Sequence, residues 1–385
     1  MRSGTPVTLV LGAGVSVGRG IPLWSELLRR AWECVLGGDP YRDDTALLGR
    51  AREAAQQAGL PPDFISRLDV RRHPLELQFA FERIYDALRW RPDDPQLAKR
   101  LGLSRRRRPA HVSKERIVAE IFGELLRKVL YSTATPRPRG RRAPDTLGLV
   151  AGTVRQNAER PDHLRRVSQV ITFNVDDLLE REVNAGSRRR TPRAVPIPRP
   201  SALRPLTGRR SIPIYHLHGF VPLDQSLYPL QVEDAVLTDT APPLESLVFT
   251  DEQYWRTVGH ANGFASRVFA SALSGCCVFV GLSMTDINIV RWLAQDAIER
   301  SDDLRRLAGA WQDPAEVEFT ILEDLSRHYW ITQGPPPVRG ARPEAVEGEP
   351  DVLTTTLARR GVTKVSIPAW DAPEFRALWR DSFDA

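Results

Sequence analysis

The sequence predicts an α/β fold, a mostly parallel sheet covered by helices on both faces and carrying a helical insertion. Three observations predict it. The chain opens on an apolar run, a glycine turn and a helix. Short apolar runs and amphipathic segments then alternate in its second half, which is the signature of a sheet built from crossover units. Between the two lies a long stretch whose apolar residues recur at helical spacing.

The opening run is Val7 to Leu11, and it stops at a turn holding Gly12, Gly14 and Ser16. A second bend at Gly20-Ile21-Pro22 leads into a helix with Leu23, Leu27 and Leu28. A strand, a glycine turn and a helix are the parts of a phosphate cradle, in which bare backbone approaches a diphosphate. The usual dinucleotide fingerprint asks for a third glycine where this chain has Val17. The same stretch also reads as a tight strand-to-helix turn with no ligand.

From about Asp43 to Leu130 the pattern is helical. Leu75, Phe79, Ile84 and Leu88 share one face, and Ile117, Ile121, Leu125 and Val129 another, with breaks at Pro61-Pro62 and Arg91-Pro92. The α/β pattern resumes at Val167 to Thr172, and again at Ile212 to Leu217, which runs into His218-Gly219. Leu247 to Phe249 precede Thr250-Asp251-Glu252-Gln253, a capping-box sequence. Cys276 to Val280 ends at Gly281, and Val317 to Leu322 and Val362 to Ile367 are later strand candidates. Gly334 to Pro350 reads as a loop. The domain plan is therefore 1–42 as the first part of a Rossmann-like domain, 43–165 as the insertion, and 166–385 as the remainder of that domain.

The 385 residues include 42% apolar and 26% charged, the balance of an ordinary globular protein. No apolar run approaches the ~20 residues of a membrane span. The first strand begins within a few residues of Met1, which leaves no room for a signal peptide. Three cysteines, Cys34 and the adjacent Cys276-Cys277, make neither a disulfide framework nor a C-x-x-C pair, so a cytoplasmic address is expected. The net charge of +6 is carried almost wholly by arginine, with patches at Arg105 to Arg108, Arg137 to Arg142 and Arg188 to Arg193. These read either as solvated loops or as phosphate contacts to nucleic acid. None has the interleaved aromatics of a single-strand binder.

In an open parallel sheet, ligands sit beyond the carboxyl ends of the strands. Four such ends carry small or polar groups: Gly12-Ala13-Gly14 with Ser16, Asn174 with Asp176, His218-Gly219, and Gly281 with Ser283 and Asp286. Each has a plainer reading. Asn174 also fits an N-cap, Asp176 a charge near a helix start, and the alternating His216 and His218 a structural histidine. Cys276 and Cys277 read as small core residues.

On these residues the chain resembles the sirtuin family. The correspondences are GAGVS at Gly12 to Ser16, GIP at Gly20 to Pro22, TFNVD at Thr172 to Asp176, HG at His218-Gly219 and GLS at Gly281 to Ser283. The likeness is greatest to bacterial sirtuin-like NAD hydrolases of antiphage defence. Their GIPxWxxLL, NxDxLLE and HLHG motifs are matched at Gly20 to Leu28, Asn174 to Glu180 and His216 to Gly219, and GLSMTDINI at Gly281 to Ile289 is also similar. A sirtuin deacylase carries a zinc module held by four thiolates, which three cysteines do not supply. It also carries an acidic-aromatic-arginine run where this chain has Leu23-Trp24.

The resemblance implies NAD as substrate, with no metal expected. It gives Gly12, Ala13, Gly14 and Ser16 the diphosphate, and Gly281, Ser283 and Asp286 the adenosine half. Ile21 and Pro22 complete the cofactor set. Asn174 is implied at the nicotinamide ribose or an attacking water, Asp176 near the nicotinamide amide, and His218 as general base, where an imidazole pKa of about 6.5 suits proton transfer. The implied function is an NAD hydrolase that releases nicotinamide and ADP-ribose as an abortive-infection effector, controlled by homo-oligomerisation or by a partner such as an ATPase. The competing expectations are an NAD-dependent protein deacylase and a non-catalytic sensor of NAD or ADP-ribose.

Overall fold

A computed structural model describes residues 6–36, 74–90, 114–134, 145–185, 192–198, 211–224, 247–250, 263–284, 286–308, 327–334, 352–370 and 372–383, with isolated positions 95, 99, 101, 227 and 253. The arginine patches at 105–108 and 137–142, most of the patch at 188–193, the strand candidate 317–322 and the loop 335–350 lie outside the described residues, as does the start of the insertion at 43–73. The chain forms two compact units. One takes Met1–Gly18, Pro138–Leu217 and His260–Ala385, and the other Arg19–Arg137 and His218–Gly259.

The first unit holds the sheet. Among the described residues its strands are β1 (Val7–Leu11), β2 (Val167–Thr172), β3 (Ala194–Ile197), β4 (Ile212–His216), β5 (Cys276–Val280), β6 (His328–Gln333) and β7 (Val362–Ile367). They lie in the order β3-β4-β2-β1-β5-β6-β7, and every neighbouring pair is parallel. All five residues of β1 and of β5 are buried. Side chains alternate between the faces of a strand, so burial along its whole length requires cover on both sides.

On one face Val7, Leu9 and Leu11 join Val170, Ile214 and Val278 in a core completed by helices Thr146–Glu159 and Pro373–Phe383. On the other, Phe279 meets Phe269 of helix Phe264–Leu273, which stacks on Trp292 of helix Ile287–Ala308. Helix Thr146–Glu159 begins at Asp145, whose carboxylate accepts from Gly148 N. The Asn157 side chain near its end accepts from Arg166 N and Val167 N, tying it to the start of β2.

Two strands escaped the sequence reading. In β3, Pro196 removes a donor, which a strand tolerates at the edge of a sheet, where β3 lies. Its start is held instead by Asn184, whose side-chain oxygen accepts from Arg193 N and Ala194 N. In β6 the sequence HYWITQ mixes polar and apolar residues and gives no apolar run.

Among the described residues the second unit contains three helices, Trp24–Leu36, Pro74–Trp90 and Lys114–Tyr131, packed against one another. Ile84 and Leu88 are buried as the helical spacing predicts, as are Ile121, Leu125 and Val129. An aromatic cluster joins these helices to the segment 247–250: Phe249 lies 5.1 Å from Trp24, 5.0 Å from Phe81 and 5.7 Å from Phe122, centroid to centroid. The capping box forms as expected, with Gln253 N donating to Thr250 Oγ1 while the Gln253 side chain accepts from Phe249 N and Thr250 N. None of the described helices is long and apolar enough to cross a membrane.

Candidate active site

The parallel sheet changes direction of winding at β1. The chain goes first to one side through β2 and β4, then returns to the other through β5. Crevices open at the carboxyl ends of strands at such a point. Here the turns after β1 and β5 interlock. Gly12 N donates to Val280 O, and Gly14 N to Gly281 O, both at 3.0 Å. A Cβ on Gly281 would lie 2.7 Å from Val15 N, and the residue's φ is +67°.

The N–H groups of Gly12, Gly14, Val15 and Ser16 all donate to backbone oxygens. This turn therefore offers a diphosphate its position and lack of side chains rather than a row of spare donors. Beyond Gly281, Ser283 is exposed, and Asp286 accepts from Asn288 N at the start of helix Ile287–Ala308.

At the ends of β1, β2 and β4 a small pocket is lined by Ser16, Thr172, Asn174, Asp176, Glu180 and His216, floored by Leu11, Val15, Leu147 and Leu179. Asn174 is not the N-cap; Asp177 takes that position for helix Leu178–Asn184. The Asn174 amide instead donates from Nδ2 to Gly12 O at 3.1 Å and to Ser16 Oγ at 3.3 Å, while its backbone N donates to Thr172 Oγ1. Its Oδ1 is buried and has no hydrogen-bond partner among the described residues. A buried, unsatisfied carbonyl oxygen in a site is an acceptor held ready for a donor from a ligand or water.

Asp176 is 4% exposed and accepts from Leu178 N at 3.1 Å, with Ser16 Oγ at 3.4 Å. Burial pushes its carboxyl from the usual range up to about 6, against the pull of the Leu178 N–H and with help from the nearby Glu180 and Asp177 charges. An acid whose folded pKa is raised binds its proton more tightly folded than unfolded. It therefore favours folding at low pH and loses that contribution as pH rises from about 4 through about 6. Asp176→Asn, neutral throughout, removes this dependence. Denaturant titrations should show the variant gaining about 2–3 kcal/mol on wild type between pH 4 and pH 7. A stability gap that does not change with pH would mean that Asp176 ionises normally.

Sequence reasoning missed the pair behind this loop. Glu180, fully buried, and His216, 1% exposed, meet at 2.7 Å between Oε1 and Nε2, and His216 Nδ1 lies 3.0 Å from Asn174 O. Burial alone would lower the imidazole's pKa, but the charge and hydrogen bond of Glu180, with the Asn174 carbonyl and the Asp176 charge, together raise it above its ordinary value. The signal was present in the NxDxLLE and HLHG spacings, but the glutamate reads as ordinary helix charge until the fold buries it.

Of the residues expected at the site, Gly12, Ala13, Gly14, Ser16, Asn174, Asp176, Gly281, Ser283 and Asp286 lie in the first unit, and Ser16, Asn174 and Asp176 line one pocket. Ile21, Pro22 and His218 lie in the second. There Ile21 and Pro22 are buried, and the His218 ring packs edge-on to Trp24 at 5.7 Å while its carbonyl accepts from Val248 N. Gly20, with φ +84°, leaves no room for a Cβ, which would fall 2.1 Å from Thr133 O. Cys276 and Cys277 are buried in β5, and burial raises both thiol pKa values.

No curated protein matches the chain. Residues 168–347, just under half of the chain, match the family model for a SIR2-like domain. The matched stretch holds Asn174, Asp176, Glu180, His216, His218 and the Gly281 turn, while β1 and its glycines precede it. The match supports a sirtuin-like family and an activity that uses NAD.

Proposed function

We propose that the protein is an NAD+ hydrolase that cleaves the nicotinamide–ribose bond to give nicotinamide and ADP-ribose. The observation that carries this reading is Asn174: its amide nitrogen is held by two protein oxygens, and its buried Oδ1 is left for a ligand beside the raised carboxyl of Asp176. The bond to be broken joins a cationic leaving group to a carbon that can become an oxocarbenium ion. Nicotinamide departs with the bonding electron pair, water adds to the carbon, and one proton is released. Neither a covalent nucleophile nor a metal is needed for this chemistry.

In this reading Asn174 Oδ1 accepts from a ribose hydroxyl or from the water, and Asp176 meets the nicotinamide amide. The glycine turn lies along the diphosphate, and Gly281, Ser283 and Asp286 along the adenosine half. Fixing a reactant by preplaced groups of this kind contributes several kcal/mol to barrier reduction, of the order of ~3 or more.

The biological role we infer is that of an abortive-infection effector, with NAD loss arresting the infected cell. Such an enzyme must be held silent by its oligomeric state or by a partner, and the helical insertion from Asp43 to Leu130 is the contact surface we assign to that control. The test is direct. The full chain, alone and with the product of its neighbouring gene, is incubated with NAD and no acylated peptide. Equal amounts of nicotinamide and ADP-ribose are expected; nicotinamide released only when an acylated peptide is added would overturn the reading in favour of deacylation.

A further inference from the structure

Every polar atom of Asn174 but one is committed within the protein. The backbone N donates to Thr172 Oγ1 at 3.0 Å, and Nδ2 to Gly12 O and Ser16 Oγ. The backbone O faces His216 Nδ1 at 3.0 Å, and among the described residues only Oδ1 is left over. A carbonyl oxygen can only accept, so His216 must carry a proton on Nδ1.

An isolated neutral imidazole is free to place its single proton on either nitrogen. The Asn174 carbonyl removes that freedom by requiring the proton on Nδ1, and the Glu180 carboxyl at Nε2 then requires a second one. With Oε1 at 2.7 Å from Nε2, the pair shares a second proton, either as Nε2–H beside a carboxylate or as a carboxylic acid donating to bare Nε2. In both arrangements Nδ1–H survives and the grip on Asn174 persists. A buried pair of this kind contributes little net stability compared with apolar residues of the same volume, so stability alone does not account for it.

We propose that Glu180 and His216 are positioning residues that lock the histidine tautomer, and through it hold the Asn174 carboxamide oxygen where it meets a sugar hydroxyl or water. The inference rests on the NAD-cleaving reading of the same pocket. Substitutions separate its parts. Glu180→Gln can donate to bare Nε2 and preserve Nδ1–H. Glu180→Leu removes the proton shared at Nε2 and leaves the ring held by the Asn174 carbonyl without its partner on the other side, and His216→Phe fills the volume without a donor.

The experiment measures NAD turnover by the full chain under conditions where wild type is active, together with solvent exchange of the Asn174 side-chain amide protons by nitrogen-resolved NMR. That signal is identified by its loss in Asn174→Ala. Because a displacement of about 1 Å costs about 100-fold, Glu180→Leu and His216→Phe should lose about 30- to 100-fold in kcat, with KM changed less than about threefold. Glu180→Gln should stay within about threefold of wild type in both. The amide protons should exchange slowly in wild type and in Glu180→Gln, and at least about tenfold faster in the other two.

Equal loss in Glu180→Gln and Glu180→Leu, or unchanged amide exchange in the apolar variants, would overturn the proposal. If His216→Phe does not fold, the two Glu180 variants decide alone. If wild type cleaves no NAD under any condition, the hydrolase reading fails, and the amide exchange still judges whether the pair holds Asn174.

Discussion

Asn174→Ala is expected to reduce NAD cleavage by about 100- to 10,000-fold, a loss of about 3–5 kcal/mol of transition-state stabilisation. The substitution removes a buried acceptor that has no partner among the described residues, and with it the amide that ties the loop to Gly12 O and Ser16 Oγ. Asn174→Asp should lose nearly as much. Its size is unchanged, but a carboxylate has no donor for Gly12 O. Calorimetry should still detect NAD binding to both variants, since the turns assigned to the diphosphate and adenosine are untouched. The measurement is nicotinamide release under single-turnover conditions, and an alanine variant as fast as wild type would remove Asn174 from the chemistry.

The second large effect is on stability. Gly281→Ala places a side chain at φ +67°, a conformation that costs an L-residue about 1–2 kcal/mol. The new Cβ would also lie 2.7 Å from Val15 N and 3.0 Å from Gly14 C, where only backbone movement can make room. Strain and displacement together should destabilise the protein by about 3 kcal/mol or more.

Gly152 provides the contrast. It lies inside helix Thr146–Glu159, and a Cβ there meets no atom within 4 Å. Gly152→Ala should therefore stabilise by about 0.5–1 kcal/mol, through helix propensity and the unfolded chain. Denaturant midpoints of the two variants should move in opposite directions. A Gly281→Ala variant as stable as wild type would show that the two turns do not interlock.

Much of the sheet could be read from sequence because its strands are buried on both sides. Val7 to Leu11, interrupted only by Thr8, and Cys276 to Val280 are short apolar runs between turn residues, and their length suits a strand buried on both faces better than a helix. Pattern alone fails where a strand is recognised by its neighbours. The edge strand Ala194–Ile197 holds a proline and is fastened by Asn184, and His328–Gln333 is paired on both sides despite its polar residues. His328 there accepts from Cys277 N, a contact between residues far apart in the chain.

The candidate site was legible in the same uneven way. Ser16, Asn174 and Asp176 were identified from their places after apolar runs, and they do line one pocket. Their partners depend on three-dimensional burial. Nothing in LLERE distinguishes Glu180 from its neighbours, and Leu217 separates two histidines that look interchangeable in HLHG. The fold distinguishes them: His216 finishes a strand against Glu180 and Asn174, while His218 packs on Trp24 in the other unit.

The placement of β1 bears on how the chain is made. β1, made before every other described strand, lies between β2 and β5, with Val7 beside Val167 on one side and Cys276 on the other. Its second neighbour is synthesised some 270 residues later. At about 5–20 residues per second, the nascent protein spends tens of seconds with an apolar strand lacking one flank. A row of unpaired backbone groups on such a strand is a template for pairing with another chain. Fragments ending before Cys276 should accordingly precipitate on expression, and a chain that includes β5 should depend on chaperones that shield β1 during translation.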